Sequence, residues 1–421
     1  MKPADDPTAT APLVDAYDTV LFDLDGVLYR GSDTVPGAPE AVEEVRRRGL
    51  RVAFVTNNSS RTPGQVAAKL AGHGVDAPSG EVVTSAMATA DLLGPADGRT
   101  AFVVGEDGIR EALREAGFAV VGDDADRADV VCVGVDTAVT YARLRTAAVL
   151  VERGARLIAT NTDASFPAPD GLWPGAGALL AAITTTIGRG PEAVAGKPHP
   201  PLLRAALDRI GGRRPLVVGD RLDTDIDGAA AVGWDSLMVL TGVSTEADLV
   251  GAPNLPTHLG ADLGALFRPA IVVRPAGPKD VEPIVGLLRE AKLRDTGVDD
   301  RLAETLVAAR NAETVGTIAF EILTSDGATV AHLRSLAVAE RSRGERTGPL
   351  LTAAGVRAAI ARGASTVYAV TRTSEGFIER MGFERTGGLD SVPGAVRVTL
   401  GDAADEHTVG FRWPPRGSPS A

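Results

Sequence analysis

Cysteine is almost missing from this chain of 421 residues. The single one, Cys132, cannot form an internal disulfide, and its apolar neighbours mark it as a buried core thiol. Lysine is scarce too: of 43 basic residues only Lys2, Lys69, Lys197, Lys279 and Lys292 are lysines. A lysine held inside a motif is therefore mildly informative. Positive charge is in deficit overall, the net charge being −12, which disfavours nucleic acid or an anionic membrane surface as the main partner. An anionic small substrate stays open, because local charge and a metal decide that. No run approaches the ~18 apolar residues of a membrane span. The polar, Pro/Ala-rich start lacks the basic and apolar regions of a signal peptide, so the cytoplasm is the expected location. Residues 1–15 read as a disordered leader.

A hydrophobic fraction of 44% and a charged fraction of 23% belong to a soluble globular protein, and the length calls for two or three domains. The stretch 19–31, TVLFDLDGVLYRG, organises the rest. Val20-Leu21-Phe22 reads as a strand buried on both faces, as in a parallel sheet, and ends in Asp23, with Asp25 and Gly26 following. Chemistry collects at the carboxyl ends of such strands. An Asp-containing turn explains the same residues equally well.

Two more buried strands follow the same plan. Residues 52–55 lead into Thr56-Asn57-Asn58-Ser59-Ser60, which suits a phosphate cradle, a helix N-cap, or both. Residues 215–220 (PLVVGD) end in Asp220, with Asp223, Asp225 and Asp227 close behind. Four acids in eight residues make a solvated turn or a hard, oxygen-ligand metal site. Between these strands, residues 85–189 have their own βα rhythm and read as a compact inserted domain, in which Asp136 and Asp163 are either substrate contacts or ordinary loop residues. Lys197 lies in AGKPHPP, where Gly196 and Pro198 would fix its backbone. It is a solvated loop lysine or one aimed at a target. His199, between prolines, is assigned no role.

If the three strands are neighbours, Asp23, Thr56 and Asp220 converge at one sheet edge, with Lys197 and Asp225 arriving on loops. Phosphoryl transfer to a carboxylate uses such a set: a nucleophilic Asp23, an acid/base Asp25, a divalent cation, and donors for the phosphoryl oxygens. The motifs Asp23-x-Asp25-Gly26-Val27-Leu28, Val55-Thr56-Asn57-Asn58, Gly196-Lys197-Pro198 and Gly219-Asp220-x-x-x-Thr224-Asp225 occur in this order. With Ala159-Thr160-Asn161-Thr162-Asp163, they make residues 16–262 resemble a haloacid-dehalogenase (HAD) superfamily phosphatase with an α/β cap. That subgroup includes nucleotide, p-nitrophenyl, phosphoglycolate and glycerol-3-phosphate phosphatases. The resemblance implies Asp23 and Asp25 as catalytic residues and Thr56, Asn57, Asn58 and Lys197 at the phosphate. It also implies Mg²⁺ held by Asp23, Asp25 (through its carbonyl), Asp220 and Asp225. An acid at position 25 favours hydrolysis over a phosphoryl relay. Glycerol 3-phosphate is the substrate the resemblance suggests first, with phosphoglycolate, nucleoside monophosphates and sugar phosphates as alternatives.

Beyond residues 263–275, read as a linker, residues 276–415 resemble a GCN5-related N-acetyltransferase (GNAT), notably in Leu336-Ala337-Val338 and Phe377-Ile378-Glu379-Arg380-Met381-Gly382-Phe383. The acetyl-CoA loop reads Arg341-Ser342-Arg343-Gly344-Glu345-Arg346, with Arg346 where a small residue is usual, and Ile378 stands where many relatives carry a tyrosine. Acetyl-CoA is therefore disfavoured, and a degenerate domain for packing, oligomerisation or ligand sensing is expected. The alternative is a bifunctional enzyme that also transfers acetyl groups. The expected fold class is α/β: a Rossmann-like HAD core with a parallel sheet over 16–84 and 190–262, an inserted α/β C2-type cap over 85–189, and a C-terminal α+β GNAT-like domain before a tail at 416–421. The expected partner is a small phosphorylated metabolite, with no nucleic acid and no membrane. Homo-oligomerisation stays open.

Overall fold

The structure, a computed structural model, describes residues 11–168, 170–400 and 407–414. The tail at 416–421 and the first ten residues of the expected leader lie outside the described residues. Residues 11–15 are not a loose leader: Leu13–Ala16 forms a 3-10 turn, with Leu13 and Val14 buried because two adjacent apolar side chains favour leaving water. The chain divides into two compact units, Val14–Gly242 and a C-terminal unit from Val243 onward.

In the first unit, β1 (Thr19–Phe22) leads to a small hairpin of β2 (Tyr29–Arg30) and β3 (Asp33–Thr34), then α1 (Ala38–Arg47), β4 (Arg51–Thr56) and α2 (Pro63–Gly72). Thr62 and Gln65 close a capping box at the start of α2, and Pro63 occupies its first turn. Next come β5 (Val82–Thr84) and α3 (Ser85–Leu93). The cap follows as β6 (Thr100–Val104), α4 (Asp107–Glu115), β7 (Ala119–Val121), β8 (Val130–Val133), α5 (Tyr141–Glu152), β9 (Arg156–Ala159), β10 (Ser165–Ala168), β11 (Gly171–Pro174), α6 (Ala176–Ile187) and β12 (Ala193–Val194). The chain returns through α7 (Pro200–Ile210), β13 (Pro215–Gly219), α8 (Asp227–Val232) and β14 (Asp235–Val239).

The core sheet runs β14-β13-β1-β4-β5, all parallel, with Phe22 level with Val218 on one side and Phe54 on the other. Leu21, Ala53, Val55 and Val217 bury one face against Leu202, Leu203 and Ala206 of α7. Both faces of these strands are buried, which is why their sequences are continuous apolar runs. The cap has its own parallel sheet, β12-β9-β8-β6-β7, with a core on each face. Cys132 lies inside one of these, and burial pushes its thiol up to about 12.

In the C-terminal unit, β15 (His258–Gly260) is followed by β16 (Val272–Pro275), α9 (Val281–Glu290), β17 (Thr305–Arg310), β18 (Glu313–Ser325), β19 (Ala328–Val338), α10 (Thr347–Ala361), β20 (Thr366–Thr371), α11 (Glu375–Arg380), β21 (Glu384–Gly388), α12 (Gly394–Leu400) and β22 (Val409–Trp413). Its sheet, β16-β17-β18-β19-β20-β22-β21, is antiparallel except where β19 meets β20. Val272–Pro275, read from sequence as part of a linker, is the edge strand of this sheet. The fold class is α/β with parallel sheets and a separate mixed-sheet domain. No described helix is long and apolar enough to cross a membrane.

Candidate active site

Register brings the predicted residues together. Asp23 lies just past the end of β1, and its backbone N–H donates to Val218 O on β13 at 2.8 Å. Asp220 directly follows β13, and Thr56 ends β4. The chain after Asp220 folds into a five-residue π turn, Leu222–Ile226, a form that recurs at functional sites. That turn swings Asp225 back, so that its Oδ2 accepts from Arg221 N at 3.1 Å. Gly219 permits the return, since a Cβ there would lie 2.2 Å from that of Asp225. Asp223 points elsewhere, paired with Arg221 at 2.7 Å.

Lys197 reaches into the same place. Its Nζ donates to Asp23 Oδ1 and to Asp225 Oδ1, each at 2.6 Å, with only 3% of its side chain exposed. Burial works against the ammonium, but the two carboxylates outweigh it and hold Lys197 above the ordinary lysine range. Burial raises the carboxyl of Asp23 well above its ordinary range. Lys197 pulls it down, while Asp225 and Asp220 push it further up. Of the two sequence readings of Lys197, the structure selects the aimed lysine.

Asp23, Asp220 and Asp225 each offer a carboxylate oxygen within 4.8 Å of the others. Three clustered carboxylates facing one lysine leave an excess of negative charge that suits a hard divalent cation. Glycines pack close around this set: a Cβ on Gly26 would lie 2.3 Å from Asp220 Oδ2, and one on Gly242 only 1.9 Å. Gly26 also takes a positive φ of 82°, which side chains resist.

The loop after β4 is tied down by its own side chains. Asn57 Oδ1 accepts from Lys197 N at 2.8 Å, and Asn57 Nδ2 donates to Lys197 O at 3.0 Å and Asp163 Oδ2 at 3.2 Å. The Asn57 carbonyl accepts from Ser85 Oγ and Asn161 Nδ2. Asn58 Oδ1 accepts from Ser60 N and Oγ, both at 2.8 Å. The Asn57 amide thus joins two loops through both of its ends, and the Asn58 oxygen folds its own loop. Thr56 Oγ1 accepts from Asn58 N at 3.1 Å, which leaves its hydroxyl hydrogen to donate. Asp25 stays open to solvent, yet the atoms crowded round it raise its carboxyl, with Lys69, Tyr29 and Lys197 pulling the other way.

In the cap, Asp163 joins the site through Asn57, and burial raises its carboxyl. Asp136 does not join it: the residue is buried in an ion pair with Arg143 at 2.7 Å. Ser85, Gly242 and the Tyr29–Lys69 pair went unread in the sequence. The signal for Ser85 was its place straight after a core strand, on the same sheet edge as Asp23 and Thr56.

Residues 20–119 match the family described as haloacid dehalogenase-like hydrolase, and residues 194–266 a second HAD-hydrolase-like family. An acid sugar phosphatase of Staphylococcus epidermidis is 39% identical over 250 residues, 59% of this chain and 95% of that protein. The chain belongs to the haloacid dehalogenase-like hydrolase family. Among solved members, a double mutant of a thermostable NPPase from Geobacillus stearothermophilus is 38% identical, with a TM-score of 0.53 over 59% of this chain and 96% of that one. A glycerol phosphate phosphatase of Mycobacterium tuberculosis, solved with calcium and with magnesium, is 30% identical and covers 88% of this chain and 97% of its own. Its TM-scores are 0.64 and 0.65. Residues 281–383 match the GNAT acetyltransferase family, so this HAD-like hydrolase carries a GNAT-type domain behind its hydrolase region.

Proposed function

We propose that this phosphatase hydrolyses small phosphomonoesters, glycerol 3-phosphate first among them, through an aspartyl-phosphate on Asp23 and with Mg²⁺ as its cofactor. The observation that carries the reading is the set of a partly exposed Asp23 with buried Asp220, Asp225 and Lys197 at one sheet edge. Asp23, Asp220 and the carbonyl of Asp25 would hold the cation, with Asp225 beside them. Bound there, Mg²⁺ would offset the repulsion between the nucleophile and a phosphate dianion.

The residues then divide the work. An Asp23 carboxylate oxygen attacks phosphorus and the P–O ester bond breaks. Asp25 gives its proton to the departing alkoxide, and its raised proton affinity suits that task. Asp25 next takes a proton from water, which attacks the same phosphorus, frees phosphate and restores Asp23. Lys197 and the Thr56 hydroxyl face the charge that builds on the phosphoryl oxygens. Asn57 and Asn58 serve the phosphate through the loop they hold.

Glycerol 3-phosphate is favoured because the glycerol phosphate phosphatase resembles this chain over 88% of its length, beyond the 59% shared with the acid sugar phosphatase. Acetyl transfer is disfavoured by charges inside the C-terminal unit. Arg346 pairs with Glu246 at 2.6 Å and Arg341 with Glu313, so two cations of the loop expected to hold a pyrophosphate already face the chain's own carboxylates, and Glu345 adds a further acid to that loop. The test is phosphate release with Mg²⁺ from glycerol 3-phosphate, phosphoglycolate, a nucleoside monophosphate and a sugar phosphate, with Asp23→Asn as the blank. Glycerol 3-phosphate should be turned over best. Equal turnover by Asp23→Asn, or none by the wild type on any ester, would refute the reading.

A further inference from the structure

Where the cap chain leaves β9 it enters a seam of buried polar side chains against the loop after β4. Thr160 and Asn161 are 0% and 2% exposed. Both hydrogens of the Asn161 amide are used there: Nδ2 donates to Asn57 O at 2.7 Å and to Thr160 Oγ1 at 3.3 Å. Its Oδ1 accepts from Asp163 N at 3.1 Å. Those partners set the amide orientation, because the reverse would bring oxygen against a carbonyl and nitrogen against an N–H. From the core side, Ser85 Oγ at the start of α3 donates to the same Asn57 carbonyl at 2.6 Å, and Ser85 is fully buried. A carbonyl oxygen has two lone pairs. Here the cap engages one and the core the other.

The seam is tight. Thr160 Oγ1 donates to Ser59 Oγ at 3.1 Å, and Gly108 N to Ser60 O at 2.9 Å. A Cβ on Gly134 would lie 2.4 Å from Ser59 Oγ, and one on Gly108 2.5 Å from Arg61 O. Two cap glycines thus let the cap approach the loop more closely than a side chain allows. Asn57 is the centre of this contact. Through its own side chain it holds both backbone groups of Lys197, and Thr56 directly precedes it. A shift of the Asn57 peptide therefore moves the Thr56 hydroxyl and the Lys197 ammonium together.

We infer that Asn161 of the cap and Ser85 of the core are positioning residues for phosphoryl transfer: they clamp the Asn57 carbonyl from two sides and so fix Thr56 and Lys197 against the phosphoryl group. This rests on the phosphatase reading above. Neither residue acts on the ester itself. The cap then contributes to transfer from every ester, whatever its leaving group, besides any choice of substrate it makes. A buried carbonyl that loses a donor is left partly unsatisfied and free to tilt, and small displacements of catalytic groups are costly.

Asn161→Ala removes the cap half of the clamp and Ser85→Ala the core half. The readouts are kcat and KM on glycerol 3-phosphate and p-nitrophenyl phosphate, with inhibition by inorganic phosphate alongside. Asn161→Ala should lower kcat and raise KM on both esters, kcat/KM falling by the same factor of roughly 10–100, and the phosphate inhibition constant should rise about tenfold. Ser85→Ala should show the same pattern, and it carries the test alone if Asn161→Ala does not fold. Thr137→Ala is the control: it deletes a cap hydroxyl bonded at 2.6 Å to Glu106 and should leave every constant unchanged. A merely structural role would lower the thermal midpoint and the folded fraction while KM and the phosphate inhibition constant kept their wild-type values, and that result would overturn the inference. So would a loss on one ester alone, which marks a specificity contact. A wild type inactive on both esters would instead sink the phosphatase reading. Calorimetric titration of inorganic phosphate with Mg²⁺ would then still decide the clamp: weaker affinity in Asn161→Ala supports it, and equal affinity, or none in either protein, overturns it.

Discussion

Replacing Gly242 by alanine tests whether the acidic cluster is a metal site. The added Cβ would meet Asp220 at Oδ2 (1.9 Å), Cγ (2.4 Å) and Cβ (2.6 Å). Ordinary contact lies at 3.4–4 Å. Rotating the Asp220 side chain moves the carboxyl away but leaves its Cβ in place, so backbone must also shift, by roughly 1 Å. Overpacking of this kind costs about 1–3 kcal/mol, which for a unit of this size lowers the midpoint by about 2–4 °C per kcal/mol. The functional effect should be larger than the thermal one. Magnesium demands near-ideal geometry at about 2.0–2.1 Å from its ligands, and a carboxylate displaced by half that distance stops being one. We expect the Mg²⁺ concentration for half-maximal phosphate release to rise roughly 10–100-fold. Gly80→Ala is the control, since a Cβ there meets nothing within 4 Å. The assay is phosphate release against Mg²⁺, with calorimetric Mg²⁺ titration alongside. A Gly242→Ala protein with wild-type Mg²⁺ affinity and lowered stability would refute the role given to Asp220.

Other expectations follow from the same geometry. Lys197→Met leaves Asp23 and Asp225 without their shared ammonium, so phosphate release should fall by at least about 100-fold, and a near-normal rate would remove Lys197 from the site. His332 is buried against Thr399, and burial holds its imidazole down to about 3, below the ordinary 6.5. The unfolded chain therefore takes up a proton that the folded one refuses. The stabilising contribution is complete above pH 6.5 and is lost as pH falls from there toward 3, at roughly 1.4 kcal/mol per pH unit. Urea unfolding of wild type and His332→Gln across that window should show the variant losing less, and parallel curves would contradict the assignment. Cys132 should resist a thiol reagent in the folded protein and react once it is denatured, as followed by absorbance. Calorimetry with acetyl-CoA should give no heat, and a micromolar affinity would restore the bifunctional reading.

The local sequence determined a good deal. Continuous apolar runs announced the strands, because a strand buried on both faces admits nothing else, and each run ended in a polar residue where parallel sheets gather their chemistry. Motif order was enough to name Asp23, Asp25, Thr56, Asp220, Asp225 and Lys197 as one constellation. Only the folded chain decided which side chains face inward. Asp225 and Asp223 stand two residues apart in one acidic run, and a π turn sends the first to Lys197 and leaves the second with Arg221. Asn57 had the chemistry to bind phosphate, and only folding brings it to the backbone of Lys197, which donates to its Oδ1 and accepts from its Nδ2. Gly242 looked like any loop glycine until Asp220 came within 1.9 Å of its missing Cβ. Composition and periodicity report what a residue can do and which elements form. Which partner it meets depends on distances between segments far apart in the chain, and those are settled only when the sheet closes.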